Sequence, residues 1–170
     1  MKITREIKTE RLVIRKFERG DFEAFHNFMT DPEATKYLLF SNEQKTENGI
    51  RELFDYTINS YSEDMDAVSF AIAIKNTNDY IGSVGYAPDF NGKDIQIYWS
   101  INREFQNNGY ATEATKALLQ NLKSQSEKKI RAYCHIENAS SEAVAEKVGM
   151  KDLGILFIKE IAQESRVFET

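Results

Sequence analysis

The residues Gln106-Asn107-Asn108-Gly109-Tyr110-Ala111 have the types and the setting of an anion-binding turn. Before them, Ile95, Ile97, Trp99 and Ile101 alternate with Gln96, Tyr98 and Ser100, the period of a strand. After them, Ala111, Ala114, Ala117, Leu118 and Leu122 recur at helical spacing, opposite Glu113, Lys116, Gln120 and Lys123. A strand that passes through a short polar turn into a helix aims several backbone N–H groups at one spot, and the helix dipole adds positive potential there. Such a place binds phosphate. Gly109 lets the backbone approach an anion closely, and the small Ala111 leaves room at the first turn. The absence of a following Gly-Lys-Ser/Thr excludes a nucleotide P-loop, and the single glycine excludes the GxGxxG dinucleotide pattern.

A second polar turn leads into a helix at Asn138-Ala139-Ser140-Ser141, with Glu142 to Val148 behind it and Gly149 as its stop. Taken alone, this is a capped helix packed on a sheet. Together the two segments carry a family resemblance. Gln106-x-x-Gly109-x-Ala111 followed by Thr112-Glu113-Ala114 closely resembles the pyrophosphate-binding signature of the GNAT acyltransferases, which hold acetyl-CoA. Asn138-x-x-Ser141 followed by Glu146-Lys147-x-Gly149-Met150 resembles the Asn-x-x-Ser…Glu-Lys-x-Gly-Phe pattern of the same superfamily. The opening Thr9-Glu10-Arg11-Leu12-Val13-Ile14-Arg15, with Asp21-Phe22 and Asp31-Pro32-Glu33, is similar to the RimJ/RimL-like branch. That branch includes ribosomal-protein N-terminal acetyltransferases and enzymes with other amine substrates. The resemblance implies acetyl-CoA as cosubstrate. It implies a cofactor site containing Trp99, Ser100, Ile101, Gln106, Asn107, Asn108, Gly109, Tyr110, Ala111, Thr112, Asn138 and Lys147.

Acyl transfer from a thioester to an amine needs an unprotonated nitrogen, donors for the oxyanion and a proton or hydrogen bond for the departing thiolate. The resemblance assigns the oxyanion donors to backbone N–H groups of Trp99 to Ile101. Relatives often carry Glu where Gln96 stands; an amide there can only orient the amine or a water. Asp94, two residues earlier on the same strand face, can act as a base through water. His135 and Glu137 are further candidates, and His135 has the most suitable ordinary pKa. Many relatives place a Tyr seven residues after the Asn as general acid, but Ala145 stands there, and Ser141 matches the position that takes this role in the RimJ/RimL-like branch. Gln96 and Ala145 also keep open a non-catalytic acyl-CoA-binding regulatory module. Cys134 alternates with Ile130, Ala132 and Ile136, the pattern of a buried, inert thiol, and no metal-ligand spacing is present.

The elements that must position these residues follow from periodicity. Leu12 to Phe17 reads as a strand, and Asp21 as the cap of a helix carrying Phe22, Phe25, Phe28 and Met29. Glu43 to Tyr61 reads as a second helix, Val68 to Ile74 and Tyr80 to Ala87 as a hairpin, and Lys129 to Ile136 as a strand. A last strand is expected at Asp152 to Lys159, with Ser165 to Glu169 as a further candidate. The order implies one α/β (α+β) domain over residues 1–170 with a mixed sheet and helices on both faces, and the resemblance implies the GNAT fold, in which that sheet is mostly antiparallel. The acceptor pocket is expected from the first two helices and the Pro88–Lys93 loop. A net charge of −5 argues against a nucleic-acid partner and suits an amine acceptor. No apolar run reaches the roughly 20 residues that span a bilayer. The N-terminus lacks a hydrophobic signal core, so a cytoplasmic location is expected. The basic run Lys123 to Arg131 reads as a solvated helix end, with contact to the nucleotide 3′-phosphate as the alternative. A homodimer through the C-terminal strands is a further expectation.

Overall fold

Period-two runs of Val, Ile and Phe and amphipathic helical stripes resolve into one layered arrangement in the computed structural model, which describes residues 6–61 and 67–170. In chain order the elements are β1 (Ile7–Lys8), β2 (Leu12–Arg15), α1 (Phe22–Thr30), α2 (Glu47–Ser60), β3 (Val68–Ile74), β4 (Tyr80–Pro88), β5 (Ile95–Ile101), α3 (Tyr110–Gln125), β6 (Ile130–His135), α4 (Ala139–Lys147), β7 (Lys151–Ile158) and β8 (Gln163–Glu169). The strands form one sheet in the order β1-β2-β3-β4-β5-β6-β8-β7. Every pairing is antiparallel except that of β5 with β6.

Helices cover both faces, as the pattern implies. On one side α3 and α4 bury Ala114, Leu118, Leu122 and Ala145 against Ile72, Val84, Ile97 and Phe168. On the other, α1 and α2 bury Phe25, Phe28, Ile50 and Phe54 over Phe17, Ala71 and Tyr80. The alternation of β3 explains the split, because Phe70 and Ile72 fill the first layer while small Ala71 leaves space for the rings of the second. Phe17 meets Phe25 and Phe54 edge-on, the favourable aromatic geometry.

Several sequence-based boundaries shift. The first strand stops at Arg15, and Phe17 leaves it to join the ring cluster under α1 and α2. Asp21 makes no side-chain cap. Its carboxylate instead takes both Arg15 Nη1 (2.7 Å) and Nη2 (2.9 Å) in a buried bidentate pair, and accepts the Glu18 N–H. Arg15 cannot be buried uncompensated, so the pairing outweighs the cap. The second helix is shorter than expected, because Glu43–Lys45 forms a separate 3-10 turn and Thr46 caps α2 through the N–H of Gly49. β1 had no strand signal, and β8 begins two residues before the expected Ser165.

Candidate active site

β5 pairs with β4 along its whole length, from Gly82↔Ile101 to Pro88↔Ile95. With β6 it pairs only at Ile95↔Ile130 and Gln96↔Arg131. Beyond Gln96 the two parallel strands part. The Ile95 N–H donates to the Lys129 carbonyl on the β6 side, whereas the Asn102 N–H donates to Ile81 on the β4 side. Alternation therefore turns the backbone groups of Ile97 and Trp99 toward the opening between the strands. Ile101 faces the same way, and its carbonyl accepts from Gln106 Nε2 at 3.0 Å.

The base of this opening is clamped from the end of β4. The Asp89 carboxylate is fully buried and takes Arg131 Nη1 at 2.7 Å together with the Tyr133 hydroxyl. Arg131 also reaches Glu169 on β8 at 2.8 Å. One network thus ties β4, β6 and β8 together where β5 and β6 begin to diverge.

The turn before α3 is held by its own side chains. Asn108 Nδ2 donates to the carbonyls of Phe105 (3.1 Å) and Gln106 (2.9 Å). Arg11 Nη1 donates to the Asn108 carbonyl at 2.9 Å, and its guanidinium lies 4.6 Å from the Tyr110 ring centre. Glu113 in the first turn of α3 would repel an anion, but Thr9 Oγ1 (2.6 Å), the Arg11 N–H (2.9 Å) and Arg11 Nε (2.7 Å) all donate to it. Partial burial pushes this carboxyl up, and those hydrogen bonds outweigh it, holding the group below the ordinary carboxylate range. Among the described residues, the N–H groups of Asn107 through Thr112 find no acceptor within the protein. Asn107 (φ +62°) and Gly109 (φ +78°) supply the left-handed steps that turn them together. The feature presented to an anion is backbone, with the side-chain amides of Gln106 and Asn108 spent inside the turn.

A cleft of about 440 Å³ opens over these N–H groups. Trp99, Ser100, Ile101, Gln106, Asn107, Gly109, Tyr110, Ala111 and Thr112 line it from one side, and Asn138, Ser141 and Lys147 from α4 and its cap. Of the expected cofactor residues, only Asn108 lies outside the lining. Asn138 Oδ1 accepts the Ser141 N–H (3.2 Å) and the Ser140 hydroxyl (2.8 Å), so this oxygen serves as the cap of α4. Lys123 to Arg131 sits at the far end of α3, about 24 Å along a helix of this length. There Lys129 is paired with Glu169.

A second cavity, of about 460 Å³, lies on the other face of the sheet. Phe25 and Phe28 of α1, Leu53, Tyr56 and Thr57 of α2, and Phe90 of the β4–β5 loop line it. Two contributors had no sequence signal: the Tyr37–Phe40 segment and the β7–β8 turn with Ile161 and Gln163. Gln96 and Tyr98 reach it from β5, Tyr133 and His135 from β6. The two cavities share Tyr37, Leu38, Trp99 and Ser100, so they meet where β5 leaves β6.

Among the base candidates, Gln96 faces the second cavity and donates from Nε2 to the Pro88 carbonyl at 2.9 Å. Asp94 lines neither cavity. Asn91 Nδ2 donates to its carboxylate at 2.7 Å, which holds it below the ordinary range, and Arg131 adds to the effect. The residue expected as a water-mediated base thus has its carboxylate bound to its own turn, outside both cavities. His135 lies against the Tyr37 ring at 4.9 Å, and its Nδ1 accepts the Glu137 N–H at 3.2 Å. The neutral imidazole therefore carries its proton on Nε2 and is a donor there. Tyr98 crosses β4 at Gly85, where an added Cβ would fall 2.5 Å from its Oη. The hydroxyl donates to the Val68 carbonyl, and burial pushes that phenol up to about 12. Cys134 is buried, and burial pushes its thiol up to about 12 as well, so it is an inert packing group.

Comparison with known proteins agrees with this geometry. The acetyltransferase (GNAT) domain family matches residues 11–151. The chain is 31% identical over 152 residues to the uncharacterized N-acetyltransferase YnaD of Bacillus subtilis (strain 168), covering 87% of this chain and 84% of that protein. A GNAT-family acetyltransferase from Bacillus anthracis shares the fold with a TM-score of 0.79, at 28% identity and 98% coverage of each chain. Spermidine N-acetyltransferase from Vibrio cholerae, solved with CoA and spermine, shares it with a TM-score of 0.75 at 21% identity, covering 95% of this chain and 96% of that one. A mixed sheet that parts beside a glycine-containing turn, with the matched domain spanning most of the sequence, identifies the chain as a member of the GNAT acetyltransferase family and as an acyltransferase.

Proposed function

We propose that this protein transfers the acetyl group of acetyl-CoA directly to a primary amine within a ternary complex. The observation that carries the reading is the meeting of two cavities at Trp99 and Ser100, one over a row of unpartnered N–H groups and one walled by aromatic rings. The N–H groups of Asn107 to Thr112 take the pyrophosphate, with the dipole of α3 behind them. Asn138 and Lys147 flank the pantetheine arm along the cleft. The amine nitrogen bonds to the acetyl carbon, and the Trp99 N–H, turned into the opening between the strands, donates to the carbonyl oxygen as it gains charge. As the C–S bond breaks, the Ser141 hydroxyl at the head of α4 donates to the thiolate and is reprotonated through water by the proton that the attacking nitrogen loses, so amide and free thiol are the products. Gln96 orients the amine or a water on the acceptor side.

The N-terminal motif supports placement in the RimJ/RimL-like branch, with Thr9 and Arg11 bracing the pyrophosphate turn through Glu113. We also propose a homodimer through the C-terminal strands. β7 is an edge strand with Ile155, Leu156 and Phe157 exposed, an apolar edge that invites pairing with a second copy. The non-catalytic alternative finds no supporting observation.

The test is release of free thiol from acetyl-CoA in the presence of a panel of peptide, polyamine and antibiotic amines. Acceptor-dependent release is expected with at least one class. Tight acetyl-CoA binding with no release across the panel, or no binding at all, would sink the reading.

A further inference from the structure

We infer that the acceptor enters as the free base of a primary amine carried on an uncharged, apolar body. This rests on the acetyl transfer to an amine proposed above and concerns what the acceptor cavity admits. The same chemistry is offered by a small apolar amine and by a peptide whose first residue is apolar.

The walls are rings and aliphatic chains, Phe28, Phe40, Tyr56 and Phe90 among them, and no Asp, Glu, Lys or Arg lines the cavity among the described residues. Several of the polar groups that remain are already oriented by partners in the protein. Gln96 is an amide with its Nε2 on the Pro88 carbonyl. The Tyr98 hydroxyl donates to the Val68 carbonyl and the Tyr133 hydroxyl to Asp89. The Nδ1 of His135 accepts the Glu137 N–H, which occupies that ring nitrogen.

Among the described residues, an ammonium in this cavity therefore finds no carboxylate to pair with. Aromatic faces attract cations, yet an ammonium held on a ring keeps its proton and has no lone pair for the acetyl carbon. A polyamine would bring further positive charges into the same walls. A free amino acid would bring a carboxylate that meets no Lys or Arg there among the described residues. Weakly basic amines, such as the α-amino group of an amide or a peptide, spend far more of their time unprotonated at neutral pH than alkylamines do.

The experiment compares kcat/KM, by thiol release from acetyl-CoA, for phenylalaninamide, phenylalanine, 2-phenylethylamine, spermidine and a short peptide beginning with Phe. At about pH 7.5 phenylalaninamide should exceed spermidine by on the order of a hundredfold, the ratio of free-base fractions of an α-amino and a lysine-like group. Phenylalanine should fall well below its amide, and the peptide arm distinguishes the two sources. The pH dependence of kcat/KM should rise to a plateau near each amine's own pKa, about 8 for the amide and about 10 for 2-phenylethylamine. Preference for spermidine or for phenylalanine, or one titration midpoint common to every amine, would overturn the inference and leave acetyl transfer intact. Should no amine turn over, calorimetric titration of phenylalaninamide and spermidine into the CoA-loaded protein decides. Binding of phenylalaninamide alone supports the inference; binding of spermidine alone, or of neither, ends it. Failure to bind CoA would instead defeat the proposed function.

Discussion

Gln106 and Asn108 resemble ligands in the sequence, but their amides close the turn, and the anion is left to backbone N–H groups. Gly109 matters for the same reason. At φ +78° a Cβ meets only Arg11 Nη2, at 3.5 Å, so space is available and conformation is the obstacle. Gly109→Ala should lose about 1–2 kcal/mol through the left-handed geometry. Denaturant unfolding measures that loss, and calorimetry should show weaker acetyl-CoA binding. Ser141 allows a cleaner separation. Its backbone N–H, which alanine keeps, is what Asn138 caps, so Ser141→Ala should leave the fold and acetyl-CoA affinity unchanged. Loss of the hydroxyl should lower kcat about a hundredfold, the low end for a general acid. An unchanged kcat would remove Ser141 from the mechanism. Ala145, where relatives place a tyrosine, is fully buried in the core beside α3, which fits its lack of any hydroxyl role here.

At the scale of elements, the β1–β2 turn and the first turn of α3 are joined through Glu113 across more than a hundred residues of chain. Its carboxyl is held below the ordinary range in the folded protein. A depressed folded pKa contributes stability that is present above the unfolded value, about 4.3, and is lost as the pH falls through the lower folded value. Melting temperature should therefore decline on acidification below about pH 4.3, and Glu113→Gln should flatten part of that limb. Thermal scans across the acid range would check it, and an identical limb in the variant would contradict the argument. The motif around Thr9 and Arg11 was legible as a resemblance. Its role was not, because Glu113 lies in another motif and their contact is made only by folding.

For the molecule as a whole, the opening between β5 and β6 depends on a buried clamp that no local pattern announces. Asp89 sits in a loop, Arg131 and Tyr133 on a strand read simply as alternating, and Glu169 near the C-terminus. Asp89→Asn should cost about 3 kcal/mol, the low end for a broken buried pair because Arg131 keeps Glu169 and Asp94. Equilibrium unfolding would measure this, and a loss of well under 1 kcal/mol would show that the clamp is dispensable. At the opposite end of the sheet, Phe157 is 61% exposed on an edge strand. If β7 joins two copies, Phe157→Lys should convert a dimer into a monomer by light scattering without loss of fold. A wild-type protein that is already monomeric would dismiss that interface.

Sequence by itself determined what is local. The Gln106–Ala111 turn, the Asn138 cap, the strand and helix periods and the two-faced β3 are all written in neighbouring residues, where backbone geometry couples positions two to four apart. An acceptor pocket was expected from the first two helices and the Pro88–Lys93 loop because those segments have the weakest motif content, and the second cavity lies against them. Tertiary structure alone decided where β5 leaves β6, which face His135 presents, that Asp94 is turned away, and that Tyr37–Phe40 and the β7–β8 turn complete the cavity. Those outcomes depend on hydrogen bonds and buried ion pairs between residues far apart in the chain. They depend equally on backbone N–H groups, which every residue but proline carries and which therefore leave no mark in a sequence.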